Sequence, residues 1–591
     1  MTSKNKRKKN AGTISKLMPA VKGYVAPSIG ASVMILIEGT LEILIPFLMT
    51  KLIAEGLSDA GPDMGAIVRI GLAMLVMALA ALLSGSLCAR FSAVAGTGFA
   101  YNLRNMLFKK VQSFSFANID KFSTASLITR LTTDVSNIQM LYVMCIRMLV
   151  RNFVIMVAAF IFAANINLTL SMVFVVAIPL MMLIMWLVMS NAYPLFEKML
   201  NKLDLMNAKV QENLIAIRVV KAYVKGDYET VSFNDACDTL KKAQMSAEKI
   251  IVWMNPLTQM VFYAAMIAVC FFGGKLIVGG NMSVSDLSGF IAYIGQILSS
   301  VMMLSAIFAS FVMTKASQKR IIEVLDEKID IDDSCVIDDV PILDGSVEFD
   351  HVSFSYSKNA DNLTLTDVSF KVKPGETIGV IGGTGSAKTT LVQLIPRLYD
   401  VLDGSIRVGG RDVREYKLHT LRDSVAMVLQ TNLLFSGTIE ENLRWGNENA
   451  TQEQIERACR EAQAHDFIMS FPNGYLTDLG QGGVNVSGGQ KQRLCIARAL
   501  LKNPKVVILD DSTSACDTAT DAAIRTALRS ELKGTTTFII AQRIASVIDA
   551  DRVMVIDDGR LVAMDTPENL LKNNDIFREV YESQMRGGET E

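Results

Sequence analysis

Histidine is nearly absent from this chain. Only three occur in 591 residues, at His351, His419 and His465, and the eight cysteines are scattered without one Cys-x-x-Cys pair. That scarcity excludes the usual zinc-binding spacings and leaves thiols that are buried or incidental in a reducing compartment. Charge of one sign is lacking as well. Lys and Arg number 58 against 59 Asp and Glu, a net charge of −1, so no global attraction to nucleic acid is expected. The N-terminal stretch does not read as a convincing secretory leader either. Lys4, Lys6, Arg7, Lys8, Lys9, Lys16 and Lys22 precede Tyr24 with neither an apolar core nor a small-residue cleavage site. Residues 1–23 therefore read as a basic cytosolic tail, disordered or in contact with lipid headgroups.

Lysine and arginine are missing again from three stretches, and these absences orient the first half of the chain. None lies between Lys51 and Arg69, between Arg151 and Lys198, or between Lys275 and Lys315. The mean hydropathy of +0.32 conceals a division. Residues up to about 315 are dominated by Met, Leu, Ile, Val and Ala, whereas the chain from about 344 has the texture of a soluble α/β domain. A bilayer-spanning helix needs about 20 apolar residues. Six segments qualify, near 25–53, 65–89, 139–164, 167–192, 250–279 and 285–314. The three uncharged gaps hold the short loops, and the long loops near 90–138 and 193–249 are rich in Lys and Arg. By the positive-inside rule the long loops and both termini are cytosolic. The expected division is 1–23 tail, 24–315 membrane domain, 316–343 acidic, solvated linker and 344–591 soluble domain.

Proline is absent from 197–250 and Gly226 is the only glycine there. Helix propensity then favours membrane helices that run on into the cytosol as hairpins, with tips near Ser113–Phe122 and Lys209–Ile217. Inside the spans, Glu38 and Glu42 share one helix face, as do Arg147 and Arg151. They read either as mutual pairs or headgroup neighbours, or as glutamates lining a cavity that attracts cations. The Met-rich fourth span (Met181, Met182, Met185, Met189) reads as lipid-facing or core packing, with an adaptable contact surface as the alternative.

The soluble half carries two phosphate receptors. Gly382-Gly383-Thr384-Gly385-Ser386-Ala387-Lys388-Thr389-Thr390 follows the apolar strand Ile378–Ile381 and precedes a helix-like run. Strand, glycine-rich turn, Lys, hydroxyl and helix form a phosphate loop, in which Lys388 bridges β- and γ-phosphates and Thr389 ligates Mg²⁺. Ala387 stands where the pattern has glycine; alanine can serve there if φ is negative, with reduced clearance. Ser487-Gly488-Gly489-Gln490 opens a second helix and makes a second receptor. Two receptors serve two nucleotides if two such domains pack head to tail. The strand Val506–Asp510 carries a carboxylate to its edge, where a nucleotide hydrolase holds Mg²⁺ and the attacking water. Asp511 follows where Glu is usual. Gln542 follows the strand Thr536–Ile540 where His is usual.

Over almost its whole length the chain resembles the ATP-binding cassette exporters, most of all the heterodimeric bacterial multidrug exporters. Val486 replaces the usual Leu of their signature, and Cys516 replaces Leu in the loop Ser514-Ala515-Cys516-Asp517 that crosses the dimer interface. The resemblance implies a membrane all-α six-helix exporter domain with long intracellular helices, followed by an α/β P-loop nucleotide-binding domain. It assigns adenine stacking to Tyr356, ATP binding to Gly382 through Thr390 and to Ser487 through Gln490, and Mg²⁺ to Thr389, Gln430 and Asp510. The hairpin tips would be coupling helices. Catalysis falls to Asp511, Gln542 and Gln430. Asp511 is shorter than Glu by about one C–C bond, and a misplacement of that order can cost about 10²-fold. Gln542 has no titratable proton. These departures imply a slow site of its own and a partner half-transporter that this chain's signature completes, a homodimer being the lesser expectation. The implied setting is the plasma membrane of a bacterium, multi-pass, with small hydrophobic or amphipathic substrates and no nucleic acid. A lipid or lipopeptide exporter, or an ATP-gated channel-type subunit, is the alternative. No peptidase-like or substrate-binding domain is expected before the first span.

Overall fold

The computed structural model describes residues 15–586 except 59–60, 334–335, 337–338, 513, 515–516 and 532–533. Two units emerge. One comprises the residues up to Gln112 with Thr124–Glu327, the other Ser113–Ser123 with Lys328 onward. The eleven-residue excursion at Ser113–Ser123 therefore belongs structurally to the soluble unit.

Among the described residues of the first unit, six helices are long and apolar enough to cross a bilayer. They are α1 (Val25–Gly56), α2 (Met64–Gln112), α4 (Thr124–Ile166), α5 (Leu168–Ile215), α7 (Gly226–Val278) and α8 (Val284–Asp326). The short α3 (Phe116–Lys121) and α6 (Ile217–Ala222) sit at the two hairpin ends. At 1.5 Å per residue these helices exceed a hydrocarbon core of about 30 Å by a wide margin, as the lack of breakers in 197–250 requires. Their outer faces carry exposed Leu72, Leu75, Leu79, Leu82 and Leu83, a surface suited to lipid and not to water. The interior is aromatic, with Phe174 and Phe290 stacked at 5.3 Å and Tyr293 fully buried. Two π-helical turns interrupt α4, at Arg130–Asp134 and Cys145–Leu149. At the first, Asp134 is fully buried and accepts from Arg320 Nε of α8 at 2.7 Å.

Two expectations change. The second hairpin turns later than Lys209–Ile217, because α5 continues unbroken to Ile215 and the chain reverses through α6 before Gly226. Residues 316–326 are the end of α8, not linker. The acids beyond it are engaged: Asp330 accepts from Ser115 and Lys358, Asp333 from the Leu418 backbone, and Asp339 from Thr420. Asp338, Lys4, Lys6, Arg7, Lys8, Lys9, Ala515 and Cys516 lie outside the described residues.

Among its described residues the second unit has two main sheets, besides a short antiparallel pair of Gly437–Thr438 with Asp478–Leu479. An antiparallel sheet has the order β2-β1-β4-β5, from β1 (Val347–Phe354), β2 (Leu365–Val372), β4 (Asp403–Val408) and β5 (Arg411–Asp412). The other has the order β10-β9-β3-β8-β7-β6, from β3 (Thr377–Ile381), β6 (Val425–Val428), β7 (Val506–Asp510), β8 (Thr536–Ile540), β9 (Arg552–Asp557) and β10 (Arg560–Asp565). All but β10 are parallel. Strands buried on both faces read as continuous apolar runs, which is why Val506–Leu509 and Thr537–Ile540 were so legible. Parallel strands end on one edge, so the turns after β3, β7 and β8 converge there.

Candidate nucleotide-binding and hydrolysis site

The turn after β3 leads into α9 (Lys388–Leu394). Gly382 is obligatory at its start, since a Cβ there would lie 2.0 Å from the Ile556 carbonyl oxygen. Lys388 Nζ donates to the carbonyls of Gly382 and Gly383 at 3.0 and 2.8 Å, which folds the ammonium over the loop. Burial pushes its pKa below the ordinary lysine range, against the pull of Asp510 and Asp511. The condition under which alanine fits without strain, a negative φ, is not met at Ala387. Its φ is +71° and ψ is 23°, in the left-handed region. The chain must turn that way to aim the first amides of α9 into the loop, and an alanine accepts the strain that glycine would avoid.

β8 separates β3 from β7, and the first turn of α9 bridges the gap. Thr389 Oγ1 donates to Asp510 Oδ1 at 3.1 Å. Asp510 is 1% exposed, and its Oδ2 is buried without a hydrogen-bond partner. Burial, with the neighbouring Asp511, holds its pKa above the ordinary carboxylate value. A hydroxyl beside an orphaned, desolvated carboxylate oxygen is a donor set for a small hard cation. Gln430, the third residue expected there, is exposed beyond β6, and its carbonyl accepts from Asn432 at 3.4 Å.

The two departures from the hydrolase pattern meet. Gln542 Nε2 donates to Asp511 Oδ2 at 3.1 Å. Asp511 has φ +49° and its N–H donates to the Ile540 carbonyl at 3.0 Å, which fixes the carboxylate over the sheet edge. Burial raises its pKa, partly opposed by the Gln542 bond. Gln584, in the C-terminal helix Asp575–Arg586, brackets the Gln542 segment. It donates to the Gln542 carbonyl and accepts from the Ile544 N–H, both at 2.8 Å. No motif announces this residue.

The expected second receptor opens α10 (Gly488–Leu501). Ser487 and Gln490 form a capping box, with Gln490 Oε1 accepting from the Ser487 N–H at 2.8 Å and Ser487 Oγ from the Gln490 N–H at 3.3 Å. One turn on, Gln492 donates to Ser514 Oγ, which donates to the Asp511 carbonyl. The receptor is thereby tied to the hydrolytic edge of the same unit.

Tyr356 is half-exposed, bonds Thr390 Oγ1 at 2.9 Å and meets Tyr399 edge-on at 5.1 Å. Tyr399 in turn packs on Phe116 and donates to Asp120 Oδ2 of α3 at 2.7 Å. A continuous set of contacts therefore joins the expected adenine platform to the first hairpin tip. Sequence reading missed Tyr399, which carries no motif of its own.

Residues 29–301 match the family description "ABC transporter transmembrane region", and residues 365–514 match "ABC transporter". The "Uncharacterized ABC transporter ATP-binding protein YfiB" of Bacillus subtilis (strain 168) is 36% identical over 97% of this chain and 99% of its own. The chain belongs to the ABC transporters. The "ATP-dependent lipid A-core flippase" of Desulfotalea psychrophila is 32% identical, covering 83% of this chain and 84% of its own. The "Putative multidrug export ATP-binding/permease protein YgaD" of Bacillus subtilis is 31% identical, covering 82% and 83%. A solved bacterial Atm1-family ABC exporter with ATP bound superposes with a TM-score of 0.85 over 95% of this chain and 99% of its own, at 24% identity, a likeness of fold. This ABC exporter is an ATP-hydrolysing, multi-pass membrane transporter with its cassette on the same chain. The six expected spans and the α/β cassette are both present.

Proposed function

We propose that this chain is one half of an asymmetric exporter that moves hydrophobic or amphipathic compounds out of the cytoplasm. Its own cassette holds ATP with Mg²⁺ on Thr389, Asp510 and Gln430 and hydrolyses it slowly. Its signature Ser487–Gln490 completes a faster site on a second half-transporter that carries the Glu and His missing here. The observation that carries this reading is the Gln542–Asp511 hydrogen bond. A general base needs a free lone pair aimed at water. Asp511 spends one carboxylate oxygen on an amide that cannot relay a proton, and its side chain is already a methylene short. The capping box of Ser487, formed without either substituted side chain, supports retention of the second role. The Lys and Arg distribution supports a cytosolic cassette and cytosolic termini.

Purified chain in lipid nanodiscs should bind ATP and turn it over slowly when alone. Asp511→Glu with Gln542→His should raise that turnover by about 10²-fold. Brisk turnover by the unmodified chain as a homodimer refutes the asymmetry. The relative named as a lipid A-core flippase supports a second reading, in which the cargo is a lipid. ATP-driven movement of a labelled lipid, but not of a soluble amphiphile, in inverted vesicles would favour it.

A further inference from the structure

Asp511 and Gln542 are anchored differently. Asp511 is held by the sheet, its N–H donating to the Ile540 carbonyl at 3.0 Å. Gln542 and Arg543 lie beyond the end of β8, both exposed, before the one-turn 3₁₀ helix Ile544–Ser546. Downstream the chain is fixed again, with Ile544 and Val547 buried and Ser546 Oγ donating to Asp521 Oδ2 at 3.0 Å. Between those anchors, among the described residues, Gln584 is the one side chain that bonds the backbone of residues 542–544. Its amide suits the task, since one planar group carries both a donor and an acceptor. Nε2 donates to the Gln542 carbonyl and Oε1 accepts from the Ile544 N–H, each at 2.8 Å.

The C-terminal helix Asp575–Arg586 brings Gln584 there by register. Phe577 is fully buried, and Val580 and Tyr581 pack against the same core. Positions 577, 580, 581 and 584 share one face of a helix. The stripe is apolar where it meets the core and turns to an amide where it passes the loop after β8. Gln584 is itself exposed, so its removal opens no cavity in the core. We propose that Gln584 is a positioning residue for ATP hydrolysis. By fixing the backbone on either side of Arg543, it sets how the side chain at 542 meets Asp511 across their 3.1 Å hydrogen bond. The role is the same whether that bond slows the site or assists it.

Single-turnover phosphate release from prebound ATP, measured on the full chain in nanodiscs, tests this through a double-mutant cycle. Q584M keeps the length of the side chain and removes both bonds. It should shift the rate constant by about tenfold, as a small misplacement beside the chemistry can. The ATP Kd should stay within about twofold of the parent's, because the phosphate loop is untouched. In a Q542A chain no side chain is left to position, so Q584M should then change the rate by less than about 1.5-fold. A general loss of stability would act equally in both backgrounds. S583A, exposed and one residue away, should match the parent. A Q584M rate equal to the parent's, an equal shift in both backgrounds, or an S583A shift as large as Q584M's overturns the positioning role. The direction of the shift addresses the slow-site reading separately. A faster Q584M supports Gln542 as a restraint on Asp511; a slower one sinks that restraint and leaves the positioning role standing.

Discussion

Ala387 offers a direct test of the phosphate loop's backbone, because its strain can be removed without touching a charge. At φ +71° an L-residue sits about 1–2 kcal/mol above its right-handed alternative. Replacing it by glycine removes that strain. Two effects work against the gain. Glycine frees the unfolded chain by about 0.4–1 kcal/mol, and a half-buried methyl packed against the antiparallel-sheet core is lost, about 0.4 kcal/mol at half the value of a buried methylene. The balance is a stabilisation of about 0.5 kcal/mol for Ala387→Gly. For a folding unit of this size that is a rise of about 1–2 °C in melting temperature. Ala387→Val should go the other way and further, since a β-branched residue at positive φ is a true outlier. Calorimetry of the full chain in nanodiscs, scanned without nucleotide, reads both. The order Gly above Ala above Val is expected. A glycine variant that melts below the parent, or a valine variant that melts with it, refutes the reasoning.

Three further outcomes follow from contacts in the soluble unit. Burial works against the ionised Asp330, but bonds from Ser115 and Lys358 outweigh it and hold its pKa below the ordinary carboxylate value. A depressed native pKa gives stability above the unfolded value that is lost as pH falls through the native one. Hydrogen-exchange protection factors at Ser115–Lys121, measured against the intrinsic exchange rate at each pH, should therefore fall below about pH 4, and Asp330→Asn should show that lower protection already at pH 7. Tyr399→Phe removes the bond to Asp120 and should cost about 1.5–3 kcal/mol of local α3 docking, read by the same exchange. Nucleotide affinity should change less than α3 protection does. Gln584→Ala frees the Gln542 carbonyl and the Ile544 N–H. It should raise amide exchange at Gln542–Ser546 about tenfold, corresponding to about 1.4 kcal/mol, without altering the ATP Kd.

Much of this architecture was legible because two solvents impose it. A bilayer demands long apolar helices, so six of them can be counted from composition. A doubly covered parallel sheet demands continuous apolar strands, so Val506–Asp510 announces both its burial and its carboxylate. What stayed hidden depends on where helices stop and on partners distant in sequence. The run from Lys209 through Ile215 contains no breaker, and nothing local says that the turn waits for Ala216 and Gly226. Lys319, Arg320 and Glu323 give 316–326 the polarity of a linker. Yet Arg320 is there to meet Asp134 from a helix nearly two hundred residues earlier, a pairing no local pattern encodes. The backbone of Ala387 was left open for a related reason. The residue type argues for negative φ, but the loop's need to aim its amides overrides it.

Asp511 and Gln542 show where sequence and geometry answer different questions. Each could be a neutral replacement when read by itself. Together they form a hydrogen bond that neither Glu with His nor either mixed pair would form with the same atoms, since the amide supplies a donor that never titrates. The bond also explains why the pair belongs together. Asp511→Glu alone would push a longer carboxylate against the amide, and Gln542→His alone would place an imidazole beside an acid whose pKa burial has raised. The double substitution should therefore exceed the product of the two single effects on turnover, a coupling that a double-mutant cycle measures directly. Strict additivity would mean that the hydrogen bond has no part in slowing the site.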